Sequence, residues 1–422
     1  MYMLAYISAM AYMLFLLVLF GNRRKGYALL FASLGFGVVG FMMTPNPNLF
    51  VDTVRFFETL DTTRMYLDWN PTAGWRYLMD ASGYNSTPVM GLIMYVLAFL
   101  PQNGWLTFLV SFLDIGAGLF IIYEQSRRGK TLSPVVLAAL IFVCLFNFNA
   151  SVAGVRNTMA VFVSVGIVYY FSTVRKRVLF PVLLCIPLIL IHPFALFVPV
   201  FYVLGITYKK CNTLFIVFCI IALLQRHFQG IAFSWLDRFS NIPFFDSISF
   251  KSDQYFGDGA YIGASSDFGT TRSLLMLIFY IAILCTTFLV KSTLSHRYLG
   301  FSILMACFAV GSFGDAILFS RCSTAMLIVV LPAIYDLISS LLNLGKRYRW
   351  SYVLLAMVGV FSLIVLADNL RAGNKFELIV PSYTSLFWVI CIFASTVFLY
   401  ILPPKKRQLQ NYGYRAVNGA VR

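Results

Sequence analysis

Apolar runs of the length needed to cross about 30 Å of hydrocarbon recur from one end of this 422-residue chain to the other. The polar stretches between them are too short for a separate soluble domain. Only 11% of the residues are charged, against about 25% in soluble domains. The sequence therefore predicts an all-α, polytopic integral membrane protein that forms one transmembrane domain over 1–422. That excludes secreted, cytosolic and fibrous proteins.

Topology follows from the placement of charge. The first apolar run, Leu4 to Phe20, has no basic residue before it and Arg23-Arg24-Lys25 directly after it. A cleaved signal peptide needs the reverse order, so the run is expected to be a retained helix with its N-terminus outside. Alternating from there, crossings are expected near 4–20, 27–43, 105–123, 134–148, 156–171, 178–191, 194–208, 213–225, 272–290, 298–318, 322–342, 350–366 and 384–402. That makes about 13 transmembrane helices (12–14), ending with the C-terminus inside and a basic cytoplasmic tail over 403–422. The pair 178–191 and 194–208 is short and meets at His192-Pro193, so two half-helices entering from the inside are the alternative.

The segment Val89 to Leu100 is apolar but short and bounded by Pro88 and Pro101. Counting it as a crossing would invert every later loop, so it is read as a short re-entrant or interfacial helix near 89–100. On that reading 21 of the 32 Lys and Arg residues fall inside beside one acid, Glu124. Such a split is what the positive-inside rule produces. The basic residues lie in short clusters between apolar runs and form no face on a soluble module, which argues against nucleic acid as a partner. The 8 cysteines lie in or beside apolar runs. No CxxC pair or carboxylate pair has metal-ligand spacing, so neither a disulfide framework, a metal nor a cofactor is expected.

Ionisable groups in or beside apolar spans each need a reason, because insertion at the bilayer centre costs about 2.5–3.5 kcal/mol or more. Arg156 and Arg272 each open a span, and Arg321 lies between the apolar runs 298–318 and 322–342. His192 sits at an outer break, and Asp315 precedes Arg321 by six residues. All five fall at the outer headgroup level of the expected topology. Three arginines there suit bidentate recognition of phosphate or carboxylate; snorkelling, or pairing of Arg321 with Asp315, is the plainer alternative.

Two outer loops are long enough to hold a site. In the first, 44–86, Asp52 and Arg55 would share a helical face, followed by Asp61, Arg64, Asp68, Trp69, Trp75, Arg76 and Asp80. Carboxylates among aromatic rings suit a sugar, and they equally suit an amphipathic helix lying on the headgroups. The second, 226–271, carries Trp235, Asp237, Arg238, Tyr255, Asp258, Tyr261 and Asp267, and is read as a lid or a solvated loop. The stretch 367–383, with Asp368, Arg371, Lys375 and Glu377, reads most simply as a solvated loop.

In order along the chain, these residues resemble the EpsG-like branch of the Wzy-type bacterial polysaccharide polymerases. The resemblance rests on Asp52-Thr-Val-Arg55-Phe56, Pro88-Val-Met-Gly91, Val155-Arg156-Asn-Thr-Met-Ala160, Arg175-Lys-Arg177, His192-Pro193-Phe-Ala195 and Arg321-Cys-Ser. It covers about residues 40–345. Two departures stand out: the family's Glu-Pro-Gly signature is reduced to Thr87-Pro88-Val-Met-Gly91, without the acid, and Asn157 follows the arginine where Gln or Gly is usual.

The resemblance implies a membrane glycosyltransferase of O-antigen or exopolysaccharide biosynthesis in the bacterial inner membrane. Such enzymes transfer a growing polyprenyl-pyrophosphate-linked glycan to an incoming lipid-linked oligosaccharide repeat at the outer face. Asp52 and His192 are then the candidates for proton transfer. Arg55, Arg156, Arg272, Arg321, Trp75 and Asp258 are the candidates for holding pyrophosphate or sugar. Membrane lipid, a chain-length regulator and a flippase are the implied partners. A lipid-linked glycan ligase would use the same chemistry, and a flippase or transporter of a lipid-linked sugar is the alternative from another class.

The charge count makes a direct prediction. In intact cells a membrane-impermeant thiol reagent labels Asn48→Cys but not Lys346→Cys, and the opposite pattern inverts the topology.

Overall fold

A computed structural model describes residues 2–48, 52–127, 131–227, 267–289, 293–313, 315–345, 350–371 and 376–378, with 394, 395 and 397. Among these residues six helices are long and apolar enough to cross a bilayer, and six shorter helices are also apolar. The chain is a multi-pass membrane protein built almost wholly of helices. Nearly all of the 226–271 loop and all but three residues of the expected crossing 384–402 lie outside the described residues, as do Lys346 and the basic tail.

The first two expected crossings form one helical run, α1 (Tyr2–Phe41), with non-helical geometry at Arg24. A straight helix would separate Tyr6 from Phe36 by about 45 Å, yet their rings are 5.4 Å apart. The run therefore doubles back at the basic cluster. Its second arm, 25–41, lies antiparallel along α5 (Gly104–Ser126): Gly40 meets Thr107 and Ser111, Gly26 meets Tyr123, and Lys25 Nζ donates to Ser126 O at 2.7 Å. Small residues are what allow this approach, since lipid supplies no hydrophobic drive between helices.

The remaining helices of the bundle are α6 (Ser133–Leu145), the short α7 (Phe148–Ala153), α8 (Val155–Tyr169, continued by a π turn over Tyr170–Val174), α9 (Leu179–Ile189), α10 (Phe197–Gly205), α11 (Asn212–Leu223), α12 (Asp267–Leu289), α13 (His296–Gly311), α14 (Ala316–Gly345) and α15 (Trp350–Arg371). Helices α9 and α10 are short and meet at His192 through a 3-10 turn, Pro193–Leu196. Phenols buried in the bundle donate to backbone carbonyls. Tyr6 reaches Val143 O at 2.8 Å and Tyr298 reaches Val329 O at 2.9 Å.

Contacts sort the chain reversals onto two ends. At the end holding Lys25, a polar knot ties α5, α8 and α14 together. Gln125 Nε2 donates to Asp336 at 2.6 Å, Tyr169 donates to Gln125 Oε1 at 2.5 Å, and the Thr293 amide donates to Asp336 at 2.8 Å. On the same end Arg297 reaches Lys176 O at 3.1 Å.

The opposite end carries a cap built from residues 52–103: α2 (Asp52–Trp69), α3 (Pro71–Arg76) and α4 (Pro88–Ala98). Gly104 packs on Phe41, so the chain enters and leaves the cap on the same side. The expected short helix near 89–100 is α4, and its 11 residues extend only about 16 Å. Phe56, Leu60, Tyr84, Met90, Met94 and the first turns of α8 form a second apolar core beneath the cap.

One strand pair departs from an all-α fold. Strands β1 (Met43–Pro45) and β2 (Phe376–Leu378) pair antiparallel, with Met43 opposite Leu378. The stretch 367–383 is therefore not simply a solvated loop: Asn369 is buried, and its amide donates to Cys144 O and Phe146 O at 3.3 and 3.2 Å.

Helices α10 and α13 touch backbone to backbone at Gly205 and Gly300, where a Cβ on Gly205 would lie 2.5 Å from Phe301 N. Gly205→Val is expected to cost roughly 1–3 kcal/mol by overpacking, read as a lower melting temperature in detergent. Gly359→Ala, where a Cβ would meet nothing within 4 Å, should leave that temperature unchanged or raise it.

Candidate functional site

The densest group of candidate residues lies where the cap meets α8. Asp52 opens α2 in the first turn, where a carboxylate is favoured by the helix dipole. One turn on, Arg55 pairs with it, but their side chains are 75% and 40% exposed, so the pair contributes little to stability. Next to Arg55, Phe56 turns into the second core, and the Arg156 guanidinium stacks over its ring at 5.2 Å.

Tyr84 completes the group. Gly83, left-handed at φ 72°, turns the chain into it, and its ring is 5% exposed. Burial pushes the Tyr84 phenol up to about 12; Arg156 and Arg55 oppose that shift and Asp52 adds to it. The phenol is therefore a hydrogen-bond donor at neutral pH. Ser82 Oγ and Thr87 Oγ1, close to Tyr84 in sequence, and Asn157 Oδ1, next to Arg156, are buried without hydrogen-bond partners among the described residues. Arg156 is half-buried and makes no ion pair with a described carboxylate.

The other arginines are placed differently. Arg272 pairs with Asp368 at 3.0 Å and also donates to Asn369. Its charge is thereby used to hold α15 onto α12. Arg321 lies on the neighbouring α14 near the same level, since Ser323 donates to Ser273 O at 3.1 Å. Asp315 caps α14, its Oδ1 accepting from Ile317 N and Leu318 N at 3.1 and 3.0 Å. Arg156 and Arg272 thus have separate partners, while Asp52, Arg55 and Arg156 gather around Tyr84.

His192 is 8% exposed and caps the 3-10 turn, its Nδ1 accepting from Phe194 N at 3.2 Å. In a neutral ring that leaves the hydrogen on Nε2. Trp75 stands edge-on to Tyr95 at 5.4 Å on the exposed side of the cap. Asp258 lies outside the described residues. Within the bundle Asp114 is fully buried, accepts from Ser151, and has its Oδ1 unpartnered.

Sequence reading missed Tyr84 as a member of this group. The Gly83-Tyr84 turn just before Pro88 was the available signal. No group of three or more His, Cys, Asp or Glu residues with metal-binding geometry occurs among the described residues. No protein-family model matches the sequence, and no curated protein or solved structure matches it.

The cap role of His192 gives a test. His192→Asn, which keeps an acceptor at the N-cap, should retain stability, whereas His192→Ala should lose about 1 kcal/mol. Equal losses of melting temperature in both variants would exclude capping as its structural contribution.

Proposed function

We infer that this chain is a polysaccharide polymerase of the bacterial inner membrane. In this reading the cap faces outward, the chain crosses about 13 times, and the N- and C-termini lie outside and inside. What supports the reading is Arg156: a half-buried guanidinium with an aromatic ring on one face, no described carboxylate partner, and a neutral phenol, a carboxylate and a second arginine beside it. That set fits the pyrophosphate of a polyprenyl-linked glycan at headgroup depth.

The chemistry follows from the residue types. The acceptor sugar's hydroxyl oxygen forms a bond to the donor's anomeric carbon as the bond from that carbon to the pyrophosphate oxygen breaks. Asp52 takes the hydroxyl proton. Arg156 and Arg55 stabilise the charge that develops on the departing pyrophosphate, with Tyr84 as a further donor. Trp75, at the cap's rim, stacks on a sugar face. His192 fixes the turn below α8. A ligase moving finished glycan to another lipid shares this chemistry, and a flippase shares the need for cations.

The test is polymerisation in vesicles from purified polyprenyl-pyrophosphate-linked repeats. Arg156→Lys is expected to lose at least about tenfold in rate, equivalent to roughly 1.4 kcal/mol, because a point charge does not replace a planar fork. Asp52→Asn should be inactive while still inserting. Full activity in Arg156→Lys removes the clamp. In cells lacking the chain, single repeats support a polymerase, long unattached chains a ligase, and repeats held inside a flippase.

A further inference from the structure

A cleft of about 740 Å³ runs between the second arm of α1, α5 and α8, starting at the end opposite the cap. It falls in the range of roughly 300–1,000 Å³ typical of ligand sites. Along α5 its lining extends from Phe112 to Tyr123, about 16 Å of helix, or half the thickness of a bilayer's hydrocarbon. The walls are apolar, and the exposed Tyr27, Leu30 and Phe120 form an open rim. One leaflet's length of hydrocarbon chain matches these dimensions.

Two glycines keep the space open. Elsewhere the glycines of these helices are packed tightly, as at Gly40 and Gly118, where an added Cβ would overlap Ser111 and Phe142. In the cleft wall a Cβ on Gly116 would come no nearer than 3.7 Å to Ser33, and one on Gly166 no nearer than 3.8 Å to Ala117. Helix packing does not require glycine at either position.

Charge stands at one end of the cleft. Arg24 and Lys25 line it, and Arg175 stacks on the lining Tyr170 at 5.7 Å while donating to its hydroxyl at 2.9 Å. No lining residue is acidic. Glu124, the nearest acid along α5, is paired with Arg127 at 3.1 Å. Burial, and then repulsion from Arg127, hold the Lys25 ammonium below its ordinary value. An anion at the mouth would relieve both effects.

We propose that this cleft binds one anionic glycerophospholipid of the surrounding leaflet, its acyl chain along α5 and its phosphate against Arg24, Lys25 and Arg175. The site lies at the end of the bundle away from the Asp52–Arg156 group and does not depend on the function assigned there. The lipid would act as a structural ligand that fills the wedge between the first hairpin and α8.

The experiment is a thermal-shift titration of the detergent-purified full chain with dioleoyl phosphatidylglycerol and, separately, dioleoyl phosphatidylcholine, paired with native mass spectrometry. Phosphatidylglycerol is expected to raise the melting temperature saturably and to be retained as one copy, with phosphatidylcholine weaker. Arg24→Gln with Lys25→Gln should weaken phosphatidylglycerol binding by about fivefold for each cation removed. Gly116→Leu with Gly166→Leu should abolish retention of either lipid. Equal shifts with the two lipids, no shift with either, or unchanged retention after filling the cleft would each overturn the proposal. If the filled variant does not fold, the comparison of the two lipids on the wild-type protein decides by itself.

Discussion

A bilayer core offers no hydrogen bonds, so every place where this chain stops being helical must supply its own. That constraint accounts for the polar side chains buried in an otherwise apolar bundle. His192 caps the turn between α9 and α10, and Asp315 caps α14. Asn147 accepts from Ala150 N at 3.1 Å where α6 gives way to the short helix Phe148–Ala153, and Asn369 donates to the carbonyls that α6 leaves at Cys144 and Phe146. The Gln125–Asp336–Thr293 knot does the same for the turn before α13. Removing one such partner would leave a buried group unpaired, which costs about 1–3 kcal/mol.

The same constraint divides the arginines. Arg272 is held by Asp368 and Asn369, and so belongs to the framework that joins α12 to α15. Among the described residues Arg156 meets a ring face, and its one neighbour of opposite charge is Asp52. Two arginines equivalent in sequence, each opening an apolar span, therefore have opposite electrostatic standing. One is neutralised where it sits, and the other keeps its charge available at the floor of the cap.

Much of the architecture was legible because lipid imposes length and polarity on each span. The apolar runs gave the helices, the Arg23-Arg24-Lys25 cluster marked the reversal of α1, and the proline brackets marked α4 as a short helix. What could not be read were contacts between residues far apart in the chain. The pairing of Met43–Pro45 with Phe376–Leu378 and the ion pair from Arg272 to Asp368 leave no periodic signal, because each depends on how separate helices stack. Tyr84 was hidden for a related reason: a tyrosine in a polar loop looks exposed until α2, α4 and α8 close around it. His192 was recognised as notable, but the cap it forms with Phe194 N is a local geometry that no spacing in the sequence announces.

The strand pair has a bearing on how the protein is made. β1 cannot complete its pairing until residue 378 has been synthesised, and the bonds from Asn369 to the end of α6 wait almost as long. More than 300 residues separate the two strands, so at about 5–20 residues per second the early helices wait tens of seconds for that contact. During that interval the contacts among α1, α5 and α6 include the glycine approaches, the Tyr6 bond to Val143 O and the Lys25 bond to Ser126 O. The N-terminal third is thus synthesised well before the strand that pairs with it, and that pairing is among the late contacts of assembly, followed by the bond from Tyr12 to Ser395 at 2.8 Å.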